Sequence, residues 1–456
     1  SVPQRQPETR KESIMMNWQQ LMSPTRFQID EHGNISAAPP KAHTPYRTPF
    51  HTDYDRVVFS NAFRRLGRKT QVHPLAKNDH THNRLTHSVE VASVGRSLGN
   101  LVGEQLRAEQ QLPAHLSPND LATTVQTACL AHDIGNPPFG HTGEDALRDW
   151  FRQPENAIYT ATLTPAQRND IQTYEGNAHS LRQTASIEMY RNRGGMRLTA
   201  ASYGALLKYP WTSSSPQGAR KFNIYQTELP LISHIATELG LLEIATNHWV
   251  RHPLSYLMEA ADDICYALMD LEDAVSLDLL HHQEIADILA PLVAPEATQH
   301  ATSPRERTAM MRGIAIGAAI DGIAQTFISH HAALLHGDFQ GKDLIEQSPA
   351  AVHEALQNAK TLARERIFRH RVKVELAAFS CIASMLDLLV PAAHALIVSG
   401  SCKKQHKLAL SLLENAPITE RDSLYLAYMK ILDFIGGMTD NYAARIAQEI
   451  SGISMV

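Results

Sequence analysis

The run His132-Asp133-Ile134-Gly135-Asn136-Pro137-Pro138-Phe139-Gly140-His141-Thr142-Gly143-Glu144 decides how the rest of the chain is interpreted. An apolar helical pattern leads into it over residues 121–132, and the glycine and proline residues end that helix at the His-Asp pair. Adjacent helical residues differ by about 100° in direction, so a helix end suits a pair that must turn towards one point. His141 and Glu144, three residues apart, are predicted to share a helical face just beyond the turn.

Outward from this run, apolar residues recur at spacings of three and four along most of the chain. Strand patterns are scarce, so the sequence predicts an all-α protein. Long loops are expected at about 151–172 and at 209–221, and the second has the composition of a mobile lid. The predicted helices cover residues 85–108, 121–132, 254–280, 308–335, 351–366, 373–398 and 423–449.

The domain organisation is predicted from proline content and from breaks in the helical pattern. Residues 1–50 contain seven prolines and are expected to form an extended N-terminal arm with little structure of its own. A boundary is predicted within 286–307. The chain then divides into the arm, a catalytic region over 51–290 and a helical C-terminal region over 291–456.

The charge balance gives no global basic field of the kind that nucleic-acid binding usually needs. The 456 residues carry a formal net charge of −5, so a polyanionic ligand requires a local cluster of cations. Such a cluster is present, with a solvated basic surface as the alternative interpretation. It comprises Arg56, Arg64, Arg65, Arg68, Lys69, Lys77 and Arg84, against the single acid Asp79.

The four cysteines are widely scattered in apolar surroundings, which is typical of reduced core thiols and predicts a cytoplasmic protein. No segment approaches the roughly 20 uninterrupted apolar residues of a membrane span, and the first residues are polar rather than signal-like. The sequence therefore predicts no membrane association.

Three places along the chain supply residues of the type that binds metals. They are His87 near the start of a predicted helix, the His132-Asp133 pair, and Asp262. Two imidazoles and two carboxylates suit Mn²⁺, Fe²⁺, Co²⁺ or Ni²⁺ as well as Mg²⁺. The chain has 24 histidines, and one histidine on an apolar helix is more often a hydrogen-bonded core residue than a ligand, so the spacing alone does not decide the matter.

The surrounding motifs resemble the HD superfamily, whose signature is a His, a His-Asp pair and a distant Asp, and within it the bacterial deoxyguanosine-triphosphate triphosphohydrolase family. They follow the family's order from about residue 46 to 446. Two departures are His179, where such sequences often have Gln, and Asn136, where many HD enzymes have another His. The resemblance rests on the run 132–144 together with Ser60-Asn61-Ala62-Phe63-Arg64-Arg65-Leu66, Lys69-Thr70-Gln71-Val72, Arg84-Leu85-Thr86-His87-Ser88, Tyr174-Glu175-Gly176-Asn177-Ala178, Leu207-Lys208-Tyr209-Pro210, Glu259-Ala260-Ala261-Asp262-Asp263-Ile264 and Gly437-Met438-Thr439-Asp440.

The resemblance implies an HD-domain helical core that binds one divalent metal, with Mn²⁺ or Mg²⁺ expected first and Co²⁺, Ni²⁺ or Fe²⁺ as alternatives. We prefer Asp262 over Asp263 as a ligand because only Asp262 has Tyr266 and Asp270 four and eight residues further on. His141 and Glu144 take the acid and base roles, which suit a histidine held by a carboxylate. The implied metal ligands are His87, His132, Asp133 and Asp262.

The implied reaction removes intact tripolyphosphate from a deoxynucleoside triphosphate. The expected substrates are dGTP and, as an open alternative, the other dNTPs as well. Arg84 is expected at the phosphates, and Lys208 and Tyr209 are expected to form a second clamp at the foot of the serine-rich loop. Tyr266 is expected under the sugar, with Asp270 and Gln71 at its 3′-hydroxyl. The predicted substrate-binding residues are thus Gln71, Arg84, Lys208, Tyr209, Tyr266 and Asp270.

The resemblance also implies a homo-oligomer, with a hexamer favoured, and leaves open activation by a dNTP or by single-stranded DNA. Two other functions remain as alternatives. One is an HD-type phosphodiesterase or guanosine tetraphosphate hydrolase, although such hydrolases usually carry acidic residues shortly after the His-Asp pair and this turn has none. The other is a non-catalytic nucleotide sensor, which the intact His141 and Glu144 disfavour.

Overall fold

The structure, a computed structural model, describes residues 15–44, 46–69, 83–276, 279–367 and 372–453. Its regular structure is predominantly helical in these ranges, and the sheets are two-stranded hairpins, so the all-α prediction is confirmed. The α-helices of these ranges are α1 (Trp18–Leu21), α2 (Pro49–Val58), α3 (Asn61–Arg65), α4 (Arg84–Ala108), α5 (Pro118–Ala131), α6 (His141–Arg152), α7 (Ala157–Thr160), α8 (Pro165–Gln172), α9 (Gly176–Arg182), α10 (Ala200–Leu206), α11 (Leu229–Glu238), α12 (Pro253–Ser276), α13 (His282–Leu289), α14 (Pro304–Ser329), α15 (His331–His336), α16 (Ala350–Ile367), α17 (Val372–Ser399), α18 (Lys404–Leu410), α19 (Leu424–Gly436) and α20 (Asp440–Ile450).

The strands pair in sequence order and antiparallel, β1 (Phe27–Ile29) with β2 (Ile35–Ala37) and β3 (Glu243–Ala245) with β4 (His248–Trp249). A π-helical turn at Gln183–Ile187 follows α9 directly. Short 3-10 turns lie at Leu66–Arg68, Pro154–Asn156, Pro216–Ala219, Ala290–Leu292 and Pro295–Thr298.

Most predicted helices correspond to observed ones, and the differences arise at caps. The pattern predicted over 423–449 is two helices, α19 and α20, because Thr439 caps α20 by accepting a hydrogen bond from the Tyr442 amide. The prediction of a long loop at 151–172 is wrong for most of that segment, because α7 and α8 lie within it. Helix α8 begins there because Thr164 and Gln167 form a capping box with Pro165 in the first turn. The segment 209–221 is irregular apart from one 3-10 turn.

The described part of the predicted N-terminal arm has more structure than its proline content suggests. It contains α1 and the β1–β2 hairpin, and Met16, Leu21 and Met22 are buried in the main core. The Trp18 indole donates a hydrogen bond to His331 Nε2 at 2.9 Å. Four buried apolar side chains in seven residues therefore anchor this segment against the C-terminal half of the chain.

Two hydrophobic clusters form the interior of the described protein. The first is built on α4, α5 and α12, with α10, α14 and α16 around them. The second is built on α6, α17, α19 and α20. Helices on each side of the boundary predicted within 286–307 enter both clusters, so the three-part division of the chain stays a prediction.

Helix α17 is the centre of the second cluster. By length and composition alone, its part Glu375–Ser399 is apolar enough to cross a membrane. Asp387 interrupts the apolar run and accepts a hydrogen bond from the Trp150 indole at 2.8 Å. The residues Ile382, Leu386 and Leu389 are buried against α6 and α19. Of the most apolar window of this helix, 39% is buried, and a helix packed in a protein core can pass the same length and composition test.

Candidate active site

Three of the predicted metal ligands converge where α4, α5 and α12 pack together. His87 Nε2 lies 3.0 Å from Asp262 Oδ1, and His132 Nε2 lies 3.4 Å from the same oxygen. One donor atom from each of these three residues lies within 4.8 Å of the others. The two histidines are buried, while Asp262 is partly open to the cavity described below.

The orientation of His132 is fixed from outside the cluster. Its Nδ1 donates to the carbonyl oxygen of Cys129 at 2.6 Å, which leaves Nε2 facing the carboxylates. Burial by itself would lower the pKa of His132, but the carboxylates of Asp133 and Asp262 outweigh it and raise the pKa to about 9. The same negative potential that favours a proton at this point favours a metal cation.

Asp133 adjoins this cluster, and its Oδ1 lies 3.5 Å from His132 Nε2. Arg84 Nη1 donates to Asp133 Oδ2 at 2.8 Å, and the Asn136 amide donates to Oδ1 at 2.5 Å. Each carboxylate oxygen keeps a second lone pair, so these bonds orient the group without using its capacity to bind a metal. Arg84 therefore contacts a predicted ligand as well as lining the cavity.

The neighbouring acids Asp262 and Asp263 have different partners. Burial disfavours the Asp262 carboxylate, yet His132 and His87 hold its pKa well below the usual range. Asp263 Oδ1 instead forms an ion pair with Lys360 Nζ at 2.7 Å. The structure thus brings Asp262, and not Asp263, to the histidines, as preferred from the sequence.

Two glycines shape the turn between the His-Asp pair and α6. Gly135 packs so closely on α9 that a Cβ atom there would lie 2.0 Å from the Ser180 amide nitrogen. That approach lets Ser180 bond the turn twice, accepting from the Gly135 amide and donating to the His132 carbonyl. Gly140 has a φ of +62°, and a Cβ there would lie 2.8 Å from Arg84 Nη2.

His141 and Glu144 meet on the first turn of α6, as predicted. His141 Nδ1 lies 2.9 Å from Glu144 Oε2, and Glu144 Oε1 accepts from the Gly176 amide at 2.7 Å. Burial alone would raise the pKa of Glu144, but the hydrogen bond and charge of His141 lower it to about 2. The His141 side chain is 81% exposed, so an ionised carboxylate holds an imidazole that solvent and ligands can reach.

One cavity of about 510 Å³ joins the metal cluster and the His141–Glu144 pair. Of the described residues that line it, six carboxylates face three Lys or Arg side chains, so an unassisted polyanion would be repelled. A divalent cation at the His-Asp cluster reduces that excess of negative charge, and the nitrogen and oxygen donors fit such an ion. The carboxylates are Asp133, Glu144, Asp145, Glu175, Asp262 and Glu375, and the cations are Arg84, Lys208 and Lys221.

Four of the six predicted substrate-binding residues line this cavity: Arg84, Lys208, Tyr209 and Tyr266. The Lys208 ammonium also pairs with Glu259 at 3.2 Å, so it is held rather than free. Asp270 is buried one turn beyond Tyr266 on α12. Gln71 lies outside the described residues.

Sequence reasoning missed several residues of the cavity wall. Lys221 ends the predicted lid loop and bonds Glu175 Oε1 at 2.8 Å. Glu175 and Asn177 belong to a motif that we used for the resemblance without assigning them a role. Glu375 enters the cavity from α17, far along the chain, and no local pattern marked it.

The basic cluster over 56–84 does not form one cationic surface. Arg56 donates to the carbonyls of Met196 and Arg197, and Arg65 lies 3.4 Å from Glu188. Lys69 is 1% exposed. Arg84 alone of the described members lines the cavity, and Lys77 lies outside the described residues.

An all-α core in which two histidines from different helices meet a distant aspartate, next to a His-Asp pair, defines the HD class of proteins. The HD domain family model matches residues 84–196, which include His87, His132 and Asp133. The chain is 43% identical over 452 residues to a Pseudomonas aeruginosa protein named deoxyguanosinetriphosphate triphosphohydrolase-like, covering 96% of this chain and 99% of that one.

Two further relatives have matching names. A Synechocystis protein with the same name is 35% identical, covering 96% of this chain and all of its own length. A Yersinia pestis deoxyguanosinetriphosphate triphosphohydrolase is 30% identical, covering 86% of this chain and 92% of its own. The chain therefore belongs to the deoxyguanosinetriphosphate triphosphohydrolase family of HD-domain proteins.

Proposed function

We propose that the protein hydrolyses deoxynucleoside triphosphates, dGTP among them, to deoxynucleoside and tripolyphosphate in a metal-dependent reaction. The observation that carries this proposal is a single cavity that joins the His87–His132–Asp262 cluster, the His141–Glu144 pair and the cations of the wall. Family membership points to the same reaction, because the Yersinia pestis relative is named for dGTP hydrolysis.

His87, His132, Asp133 and Asp262 would hold the divalent metal, with Mn²⁺ or Mg²⁺ as the first candidates. Bound there, such an ion supplies Lewis-acid polarisation of a phosphate oxygen and lowers the pKa of water. The half-buried carboxylates of Asp133 and Asp262 give the pocket a negative potential without the metal, which supports an obligatory cation.

The chain's own residues bind and orient the triphosphate. Arg84 offers a guanidinium beside Asp133, a predicted metal ligand, and Lys208 and Lys221 offer ammonium groups from the same cavity. His141 Nδ1 is engaged by the ionised Glu144, so Nε2 is the nitrogen that exchanges a proton with the reacting oxygen. Donation from that atom assists departure of the leaving alkoxide or tripolyphosphate.

The α12 helix supports selection of the deoxy sugar. Tyr266 lines the cavity one turn after Asp262 and Asp270 follows one turn later, a rise of roughly 6 Å per four residues. In the proposed complex a sugar laid on the Tyr266 ring would leave no room for a 2′-hydroxyl, and Asp270 with Gln71 would bind the 3′-hydroxyl.

The assembly and location of the protein are also part of the proposal. A homo-oligomer, with a hexamer favoured, is supported by exposed apolar side chains on α17, where Val372 and Leu376 are each 63% exposed. The apolar residues of α19 give no such support, because they are buried in the second cluster.

We propose a cytoplasmic location because the four cysteines are free, as is typical of proteins in a reducing compartment. The candidate effectors to be tested are a second dNTP and single-stranded DNA.

The proposal is tested with a substrate panel after chelation and re-addition of single metals. The panel comprises the four dNTPs, the four NTPs, guanosine tetraphosphate and a cyclic dinucleotide, each run with and without a second dNTP or single-stranded DNA. Chromatography of the nucleoside and phosphorus NMR of the phosphate product identify the bond that is cleaved.

We expect nucleoside and tripolyphosphate in equal amounts from dNTPs only, and only with added metal. Pyrophosphate from guanosine tetraphosphate, or a nucleotide monophosphate from the cyclic dinucleotide, would assign the protein to the other hydrolase class. Binding of a nucleotide without any product would make it a sensor.

A further inference from the structure

Among the described residues near the active site, Lys69 is the most deeply buried cation, and it is neither part of the cavity lining nor hydrogen-bonded to a predicted metal ligand. Its side chain is 1% exposed. Its ammonium donates to the carbonyl oxygen of Asn136 at 2.5 Å and to that of Gly436 at 2.8 Å. Both hydrogen-bond acceptors found among the described residues are main-chain carbonyls, and burial lowers the pKa of Lys69 to about 7.

The two acceptors belong to distant parts of the chain. Asn136 lies in the turn between Asp133 and His141, and its side chain donates to Asp133 Oδ1. Gly436 is the last residue of α19, in the C-terminal half. The Lys69 main-chain carbonyl also accepts from the Arg84 amide at 3.1 Å, at the first residue of the helix that carries His87.

The turn 134–140 is held by side chains on several sides, and Lys69 supplies the link to α19. Tyr174 donates its hydroxyl to the Gly135 carbonyl at 2.9 Å. Asp440, at the start of α20, accepts from the Phe139 amide at 2.9 Å. The turn is therefore fixed to the C-terminal helices at two points, one from a lysine and one from an aspartate.

We propose that Lys69 is a positioning residue that fastens the turn 134–140 to the end of α19 and thereby fixes the separation of Asp133 from His141. The C-terminal helices then take part in catalysis by holding the turn. The kinetic part of this inference rests on the proposed function, whereas the structural link does not. A misplacement of about 1 Å between reacting groups can cost on the order of 100-fold in rate.

The test uses Lys69→Met, which keeps a long apolar side chain and removes both hydrogen bonds, in the full-length protein. We expect kcat to fall by about 10- to 100-fold with KM within about twofold of the wild type. Hydrogen–deuterium exchange should accelerate in peptides covering 134–140 and 436–440 but not in the middle of α5. Lys69→Arg, which keeps the donors, should recover part of both properties.

Lys430→Met is the control on α19, because the Lys430 ammonium bonds the Pro417 carbonyl and the Asp422 carboxylate rather than the turn 134–140. It should leave kcat and the exchange of 134–140 unchanged. A Lys69→Met protein with a lower melting temperature but wild-type kcat and wild-type exchange at 134–140 would overturn the proposal. If Lys69→Met does not fold, Lys69→Gln replaces it, because the shorter, neutral glutamine side chain cannot reach both carbonyls. The same loss of kcat and faster exchange at 134–140 are then expected, and wild-type values of both would overturn the proposal.

The exchange measurement separates this inference from the proposed function. If the wild-type protein cleaves no dNTP, the proposed function fails, and accelerated exchange at 134–140 in the variant still supports the link. If dNTPs are cleaved and exchange is unaltered, the link fails and the function stands.

Discussion

The imidazole of His141 and the carboxylate of Glu144 lie 2.9 Å apart on one turn of α6, outside the group of histidines and aspartate that could hold a metal. We expect His141→Ala and Glu144→Ala to lower kcat by about 10²- to 10⁴-fold, because proton transfer is lost while the metal ligands are untouched. Metal content, measured by mass spectrometry, should equal that of the wild type. Asp149→Asn, an exposed acid on the same helix, is the control, and metal loss in the His141 or Glu144 variants would contradict the assignment.

Removal of any predicted ligand should abolish both metal binding and turnover. Each alanine substitution removes one of the four ligands and leaves the charge of the others uncompensated. The variants are His87→Ala, His132→Ala, Asp133→Ala and Asp262→Ala. The control is Asp263→Asn, since that carboxylate pairs with Lys360 instead of the histidines. Metal content after dialysis and dGTP turnover are the measurements, and wild-type values for Asp262→Ala would show that the site is elsewhere.

The stability of the protein should fall as the pH is lowered from about 6.5 to about 4, in part because of His179. Burial lowers the pKa of His179 to about 4 from its ordinary 6.5, so in this window the unfolded chain binds a proton that the folded protein does not. The loss reaches about 3 kcal/mol for one such group. His179→Gln, measured by urea denaturation across this range, should flatten the pH dependence of the free energy of unfolding.

The control for His179 is the exposed His32, and His32→Gln should leave that pH dependence as it is. His252 has a similarly lowered pKa of about 4, so part of the acid sensitivity should persist in the His179→Gln variant. If the free energy of unfolding depended on pH in the His179→Gln variant as it does in the wild type, His179 would not have a lowered pKa in the folded protein.

Discrimination against ribonucleotides should depend on the helix that carries Asp262. An unpaired buried hydroxyl costs about 1 to 3 kcal/mol, or roughly tenfold to a hundredfold in kcat/KM. We expect the wild type to cleave dNTPs and not NTPs. Tyr266→Ala should reduce the ratio of kcat/KM for dGTP to that for GTP. Asp270→Ala should lower kcat/KM for a dNTP far more than for its 3′-deoxy analogue. Equal kcat/KM for GTP and dGTP in the wild type would rule out this role for Tyr266.

Light scattering should give a mass well above the 50.6 kDa of one chain, with a hexamer expected. Leu376→Asp and Phe379→Asp together should lower that mass, because these exposed apolar side chains lie on one face of α17. Leu408→Asp, an equally exposed leucine on α18, should leave it unchanged. A wild-type mass of about one chain would refute the oligomer.

The sequence was sufficient to locate the candidate site because its residues lie in local motifs. The His-Asp pair ends a helix at Gly135, and the four-residue spacing from Asp262 to Tyr266 distinguishes Asp262 from its neighbour. The structure brings Asp262 to His87 and leaves Asp263 with Lys360. Helix breaks were harder to predict, since the start of α8 or α20 depends on a single capping threonine within an otherwise continuous pattern.

Contacts between distant parts of the chain had no local signal. Glu375 lines the cavity only because α17 packs on α6. The burial of Lys69 contradicts the solvated role that its basic neighbours suggest, and only tertiary packing brings Gly436 to its ammonium. For the same reason the seven prolines before residue 51 did not predict the buried Trp18.

The two hydrophobic clusters meet at the turn between Asp133 and His141. Ile134 belongs to the first cluster and Phe139 to the second. Likewise Leu207, beside Lys208, is in the first, and Phe222, beside Lys221, is in the second. A triphosphate bound by both lysines would link the two clusters, so ligand binding would stabilise their packing against each other as well as the folded state as a whole.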